Sequence, residues 1–194
     1  MRIVLICGSM RNGSYNHRLL DLIAEHLYGL CEIDILHPTQ VDLPIFNEDL
    51  EHDLEIIERV KTIHNRFASS HGFIVASPEY NGQQSAYVKN IIDWVSRLAY
   101  THPDMNNPFL DKPVLLASAS TGAFGGIVGL EHLASLMRYV GGLVMAGQIT
   151  LSHAHEHFEN MGLPENHFIH HQTERVLDRF LKLVVCLKQS SYSG

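Results

Sequence analysis

Gly8-Ser9-Met10-Arg11-Asn12-Gly13-Ser14-Tyr15-Asn16 joins the apolar run Ile3-Val4-Leu5-Ile6-Cys7 to a segment in which Leu19, Leu20, Ile23 and Leu27 recur at helical spacing. The stretch stands where a buried strand turns into a helix. A helix start carries unpaired N–H groups and the positive end of the macrodipole. Gly8 and Gly13 let the backbone bend and come close to a ligand. Ser9, Ser14 and Asn16 supply short hydrogen-bonding side chains, and Arg11 a fixed cation whose fork suits a phosphate. The stretch reads as a seat for one phosphate, against the plainer reading of a polar turn capped by Ser14. No Gly-Lys-Ser/Thr follows, so it is not a Walker A loop. Nor is the spacing G-x-G-x-x-G, so a monophosphate fits better than a dinucleotide pyrophosphate.

Outward from this turn, strand-like and helix-like segments alternate. Residues 31–36 suggest a second strand, and residues 37–50, with Pro38, Asp42 and Pro44, a long loop whose apolar part 43–46 folds back on the body. Leu54, Ile57, Val60, Ile63 and Phe67 mark a helix over 51–67. A third strand spans 73–76 and a helix carries Tyr87, Val88, Ile91, Ile92 and Val95 inward. A fourth strand starts at Pro113, tolerable at a first position. Then come a helix bearing Ile127, Leu130, Leu133, Met137 and Val140, a fifth strand over 143–150, a histidine-rich loop over 151–164 and a last helix over 165–188.

Five strand–helix alternations with short, continuously apolar strands indicate a parallel sheet covered on both faces. Right-handed crossovers leave few topologies. The expected fold is α/β, a flavodoxin-like three-layer α/β/α sandwich with a five-stranded parallel sheet in order 2-1-3-4-5, forming one domain over 1–194. Turns 8–16, 77–82 and 118–126 follow strands one, three and four, so they share one sheet edge.

Composition narrows the function. With 194 residues, 45% hydrophobic and 18% charged, the chain falls among globular proteins. A formal charge of −7 and no Lys/Arg run argue against a nucleic-acid partner. Cys7, Cys31 and Cys186 lie far apart in apolar contexts with no C-x-x-C, which favours buried small hydrophobes over zinc or dithiol chemistry. No leader-like start is present, and no apolar stretch approaches the ~18 residues of a membrane span. No membrane association and a cytoplasmic location are expected.

The second turn, Ser77-Pro78-Glu79-Tyr80-Asn81-Gly82, has one dihedral fixed by Pro78 and two residues tolerant of positive φ, Asn81 and Gly82. It could present backbone groups to the edge of a flat heterocycle, or simply be a rigid loop. The third, Ser118 to Gly126, again offers N–H groups before a helix. One phosphate loop and two ring-edge loops together describe a flavin mononucleotide site.

Gly8 to Asn16 resembles the G-S-x-R-x-x-S-x-N phosphate loop of the NADPH-dependent FMN reductase family. Ser77 to Gly82, continuing through Lys89-Asn90-Ile91-Ile92-Asp93-Trp94, resembles its S-P-E-Y-N-G…K-N-x-x-D-W signature. The resemblance implies bound FMN and reduction of a small acceptor (a quinone, azo compound, metal ion or free flavin) by NADPH or NADH; because both substrates would need the one open flavin face, ping-pong order is expected. It also implies a homodimer or homotetramer. Ser9, Arg11, Ser14, Tyr15 and Asn16 would hold the phosphate. Pro78, Glu79, Tyr80, Asn81 and Gly82 would border the ring, with Ser118, Thr121, Gly122 and Gly125 as a looser third match. Gln83-Gln84-Ser85-Ala86 and Phe124 depart from the family pattern at positions expected on the open flavin face.

No catalytic side chain and no metal ligand are expected. Hydride chemistry belongs to the cofactor, so Glu79 and Asp93 read as capping or interface residues. His153, His155 and His157 would share one side of an extended backbone, yet without a fourth ligand they read as solvated, as do His170 and His171. The competing class is a non-catalytic flavodoxin-like electron carrier. The Arg11 cation, the modest acidity and the intact second motif favour the enzyme.

Overall fold

In the computed structural model, residues 1–159 and 167–190 are described. The chain order is β1 (Arg2–Cys7), α1 (Tyr15–Leu27), β2 (Glu32–Leu36), α2 (Leu54–Ala68), β3 (Gly72–Ala76), a short hairpin of β4 (Glu79–Tyr80) and β5 (Gln83–Gln84), α3 (Ala86–Thr101), β6 (Pro113–Ala119), α4 (Ile127–Tyr139), β7 (Leu143–Val144), β8 (Ile149–Leu151), α5 (Ala154–Glu159) and α6 (His167–Ser190). The main sheet runs β2-β1-β3-β6, with β7 and β8 sharing the far side of β6, and every pairing in it is parallel. This is the flavodoxin-like order expected.

Alternation along the strands builds two cores. Val4, Ile6, Phe73, Val75, Val114 and Leu116 point to α2, α3 and α4. Ile3, Leu5, Ile74, Leu115 and Ile149 point to α1 and α6. Because every inner strand is covered on both faces, its central residues, such as Ile3–Cys7 and Val114–Ala117, are apolar without a break.

The expected fifth strand is two strands. Partners are offset by 30 residues at Pro113–Leu143 and by 32 at Ala117–Ile149, so two extra residues are looped out between them. The loop expected over 151–164 contains α5 up to Glu159. Its remainder, and the expected helix start at Glu165, lie outside the described residues. Helix α2 starts three residues later than the apolar spacing suggests because the Asp53 carboxylate caps it, accepting from the N–H groups of Glu55 and Ile56.

The 43–46 segment does fold back. The Pro44 carbonyl accepts from Trp94 Nε1 and Asn90 Nδ2, both at 2.9 Å, and Phe46 packs edge-on to Trp94. The Asn and Trp of the K-N-x-x-D-W signature thus fasten a loop. Asp93 is not a cap: it lies inside α3, where it pairs with Lys89 at 2.6 Å.

Candidate functional site

The three turns lie at the carboxyl ends of β1, β3 and β6, where doubly wound sheets open toward ligands. Between them is a cavity of about 380 Å³. Ser9, Arg11, Ser14, Tyr15 and Asn16 line it from the first turn; Pro78, Glu79 and Tyr80 from the second; Ala119, Ser120 and Thr121 from the third.

The first turn is shaped by packing as much as by flexibility. A side chain at Gly8 would put its Cβ 2.7 Å from Val88 Cγ2 and 3.0 Å from Ala76 O, so this glycine lets the first turn lie against the second. Packing alone is enough to require glycine at this position. Gly13, at φ 66°, is the residue that needs glycine's freedom. Ser14 caps α1 through its Oγ, which accepts from Asn16 N at 3.2 Å. Ser14 and Ser9 are both buried at the cavity floor.

Arg11 is exposed, and its guanidinium lies 5.4 Å from the Tyr15 ring centroid. Among the described residues no carboxylate pairs with it, in contrast to Arg2, Arg59, Arg66 and Arg97. Tyr15 stacks on Phe158 of α5 with rings 5.8 Å apart and nearly parallel, and Arg18 lies over both. Phe158 carries no motif in the sequence, and its role as a prop for the first turn becomes visible only in three dimensions.

The second turn is a tight hairpin. Asn81 and Gly82 both have positive φ, 53° and 73°, the conformation of a two-residue type I′ turn. Glu79 Oε2 accepts from Gly129 N at 2.9 Å, inside the first turn of α4. The N-cap of α4 is Gly126, which has no side chain to offer, so Glu79 does the capping from another element. Gly129 belongs to no motif that the sequence displays. A Cβ there would lie 3.0 Å from Gln83 O and 3.1 Å from Glu79 Cβ, so it seats the hairpin on α4.

Not every expected residue reaches the cavity. Asn81 and Gly82 form the hairpin tip outside its lining, and Gly82 lies near Val128. Ser118 is 0% exposed and sits behind the third turn, where a Cβ on Gly126 would collide with its Oγ. Gly125 packs on residues 150–152, and Gly122 is exposed away from the lining. Gln83 and Gln84 form the return strand of the hairpin, while Ser85 caps α3 by accepting from Val88 N.

Burial raises the Cys7 thiol above its ordinary value; it donates to Ser9 O, stays protonated and acts as a small apolar residue. Cys186, expected to be buried, is exposed. The backbone at the three histidines is not extended: His153 has φ 47°, and His155 and His157 lie in helix α5. Among the described residues no group of three possible ligands is placed to hold a metal ion. No helix among them is long and apolar enough to cross a membrane. His171 contacts Glu174 at 3.3 Å, and the side chain of His170 lies outside the described residues.

A doubly wound sheet with a cationic turn at the end of its first strand and a cavity across the β1/β3 switch point defines a mononucleotide-binding class of α/β protein. A model of the NADPH-dependent FMN reductase family matches residues 1–156, and the chain belongs to that family of oxidoreductases. It is 29% identical to a quinone reductase of Escherichia coli K12 over 145 residues, 75% of this chain and 73% of that one. It is 37% identical over 139 residues to a probable NADPH:quinone oxidoreductase of Oryza sativa subsp. japonica, covering 69% of this chain and 64% of that one. FerB, a flavoenzyme NAD(P)H:(acceptor) oxidoreductase of Paracoccus denitrificans, superposes with a TM-score of 0.78 at 25% identity, covering 94% of this chain and 96% of that one.

Proposed function

We propose that the chain binds FMN in the cavity between the three turns and uses NADPH or NADH to reduce a small acceptor of the quinone type. The observation that carries this reading is that Arg11, in the turn before α1 and with no carboxylate partner among the described residues, lines one cavity with the buried Ser9 and Ser14. One cation, short hydroxyls and a helix N-terminus form a donor set suited to a phosphate monoester. Pro78, Tyr80 and Thr121 supply a mixed polar and apolar wall for a flat ring. The residues present therefore fit the group.

When bound, FMN supplies the hydride-accepting and hydride-donating chemistry. The chain's own part is to hold and orient. Ser9, Arg11, Ser14 and the Tyr15 turn anchor the phosphate. Glu79 is committed to the α4 N–H and keeps the hairpin in place; it moves no proton. NAD(P)H and acceptor share one open side of the site and occupy it in turn, which gives ping-pong kinetics. The test has two parts. NADPH added anaerobically should bleach the flavin, and initial rates with a benzoquinone should give parallel double-reciprocal lines. A flavin that stays yellow would mark an electron carrier, and intersecting lines would rule out the shared site.

Assembly belongs to the same proposal. Tyr80 (53% exposed), Phe124 (80%), Ile127 and Val128 are exposed apolar residues on the hairpin, the third turn and the start of α4. Helix α3 has Ile91, Ile92, Trp94 and Val95 buried inside the chain and offers none of them to a partner. The apolar surface is instead on the hairpin and the start of α4. A homodimer or homotetramer is expected to close over it. A monomeric mass by light scattering at micromolar concentration would contradict this.

A further inference from the structure

The Asn16 side chain is 3% exposed, and both of its polar atoms are committed. Its Nδ2 donates to Ala119 O at 3.0 Å, and its Oδ1 accepts from Ala119 N at 2.9 Å. One carboxamide therefore binds both backbone groups of one residue, and that residue ends β6, at the root of the third turn.

The sheet explains why those groups need a partner. Beyond Ala117, β6 loses its neighbour on the β3 side: β3 ends at Ala76, and the last contact there is Ser77 N to Ala117 O at 3.0 Å. On the other side β8 continues, and Ser120 N donates to Leu151 O at 2.9 Å. Because successive peptides alternate in direction, Ala119 N–H and C=O face the side that β3 has left. Left unpaired and buried they would be costly. The Asn16 carboxamide, which carries one donor and one acceptor like a peptide group, stands in for the missing strand.

We infer that Asn16 is a positioning residue that couples the phosphate seat to the ring seat. It belongs to the first helical turn, where its N–H is held by Ser14 Oγ at 3.2 Å. A phosphate that orders the turn from Ser9 to Tyr15 orders the Asn16 carboxamide with it, and through Ala119 it orders Ser120 and Thr121 on the ring side. Its side chain binds backbone and is not a phosphate ligand. Each half of the cofactor then prepares the site for the other half. Such coupling is reciprocal and typically at least about fivefold. It favours the whole mononucleotide over a flavin lacking the phosphate.

The inference rests on the FMN reading above, and the experiment separates the two. Lumiflavin, which is the ring without ribityl phosphate, is titrated into the flavin-free full chain with and without saturating inorganic phosphate, alongside FMN. Phosphate should raise lumiflavin affinity about fivefold or more in the parent, and by less than about twofold in Asn16→Ala. Amide exchange at Ala119 N–H should slow when phosphate is added to the parent, which decides the matter even if the variant does not fold. If FMN binds but phosphate leaves lumiflavin affinity unchanged, the coupling is wrong while the cofactor stands. The coupling is equally wrong if Asn16→Ala keeps the full enhancement at saturating phosphate, since a direct phosphate ligand would behave that way. If FMN itself does not bind, both readings fall.

Discussion

The two ends of the sheet use the same residue types to opposite effect. At the carboxyl end, Arg11 reaches into the cavity with no carboxylate partner among the described residues. At the amino end, Arg2 and Arg66 close on a single carboxylate. Arg2 Nη2 lies 2.6 Å and Arg66 Nη2 2.5 Å from the two oxygens of Asp34, and Arg66 also donates to Ile35 O. Nearby, Lys112 Nζ donates to the last carbonyls of α2, Phe67 O and Ala68 O, at 2.7 and 2.9 Å. One end has its cations satisfied and holds the sheet edge to the helix layer. The other leaves Arg11 with only the Asn12 carbonyl and the Tyr15 ring, and no carboxylate among the described residues.

The largest effect that tests this contrast lies at the satisfied end. Asp34 has a side chain 13% exposed, flanked by two arginines that are each less than a third exposed. Removing it leaves Arg66 with no carboxylate among the described residues and Arg2 with only Glu32 at 3.6 Å, so Asp34→Ala should destabilise by about 3 kcal/mol in urea unfolding. The pH dependence has a definite sign. Burial alone would raise the Asp34 carboxyl, but the Arg66 and Arg2 hydrogen bonds and charges outweigh it and hold the carboxyl below its ordinary range. Between the lowered folded value and the ordinary unfolded one, the unfolded chain binds more protons, so stability rises with pH there. The contribution is complete above the unfolded value and is lost as pH falls through the folded one. The stability gap between parent and Asp34→Asn should therefore close on acidification below about pH 4. A gap that stays constant down to pH 2 would mean the carboxylate is not held by its arginines.

At the unsatisfied end the prediction inverts. Arg11→Ala should leave urea stability within about 0.5 kcal/mol, as for a surface change. FMN affinity should fall by roughly 1–3 kcal/mol, the value of a hydrogen bond to a charged group. Fluorescence titration of FMN into parent and variant measures it. Equal affinities would remove Arg11 from the phosphate seat, while a large loss of stability would make it a structural cation like Arg66.

The same contrast explains what was legible in the sequence. Strand order, layers and the meeting of three turns follow from apolar runs and glycine-containing turns, because parallel strands buried on both faces write themselves as continuous hydrophobic stretches. The two-residue insertion between Val144 and Ile149 does not show, since each half is apolar enough to belong to one strand. Individual roles are harder to read. Asn16 and Arg11 sit five residues apart in one motif, yet the first faces backbone and the second faces the cavity. Ser118 belongs to a glycine-rich ring loop by sequence and lies behind it in space. Phe158 and Gly129 support the site from elements with no motif. Side-chain direction depends on contacts made by residues a hundred positions away, and local pattern holds no record of those.

The smallest expected effect concerns Glu79, the one carboxylate among the described residues that line the cavity. It could be mistaken for an acid–base group, since it borders the site and carries the negative charge on its wall. Its Oε2 is occupied by Gly129 N, and its place beside the α4 start puts the charge at the positive end of a helix. Glu79→Gln keeps an acceptor oxygen for that N–H and loses only the charge. The change should cost no more than about 0.3–1 kcal/mol of stability, and the rate of flavin reduction by NADPH should stay within a few-fold of the parent across neutral pH. Glu79→Ala removes the acceptor as well and should cost about 1 kcal/mol, the usual value of a lost N-terminal cap. Stopped-flow reduction of the FMN-loaded variants reads the first effect and urea unfolding the second. A Glu79→Gln protein that is stable and FMN-loaded but slowed a hundredfold or more would make Glu79 a catalytic residue, and the contrast between a committed and a free charge would fail at the site where it matters most.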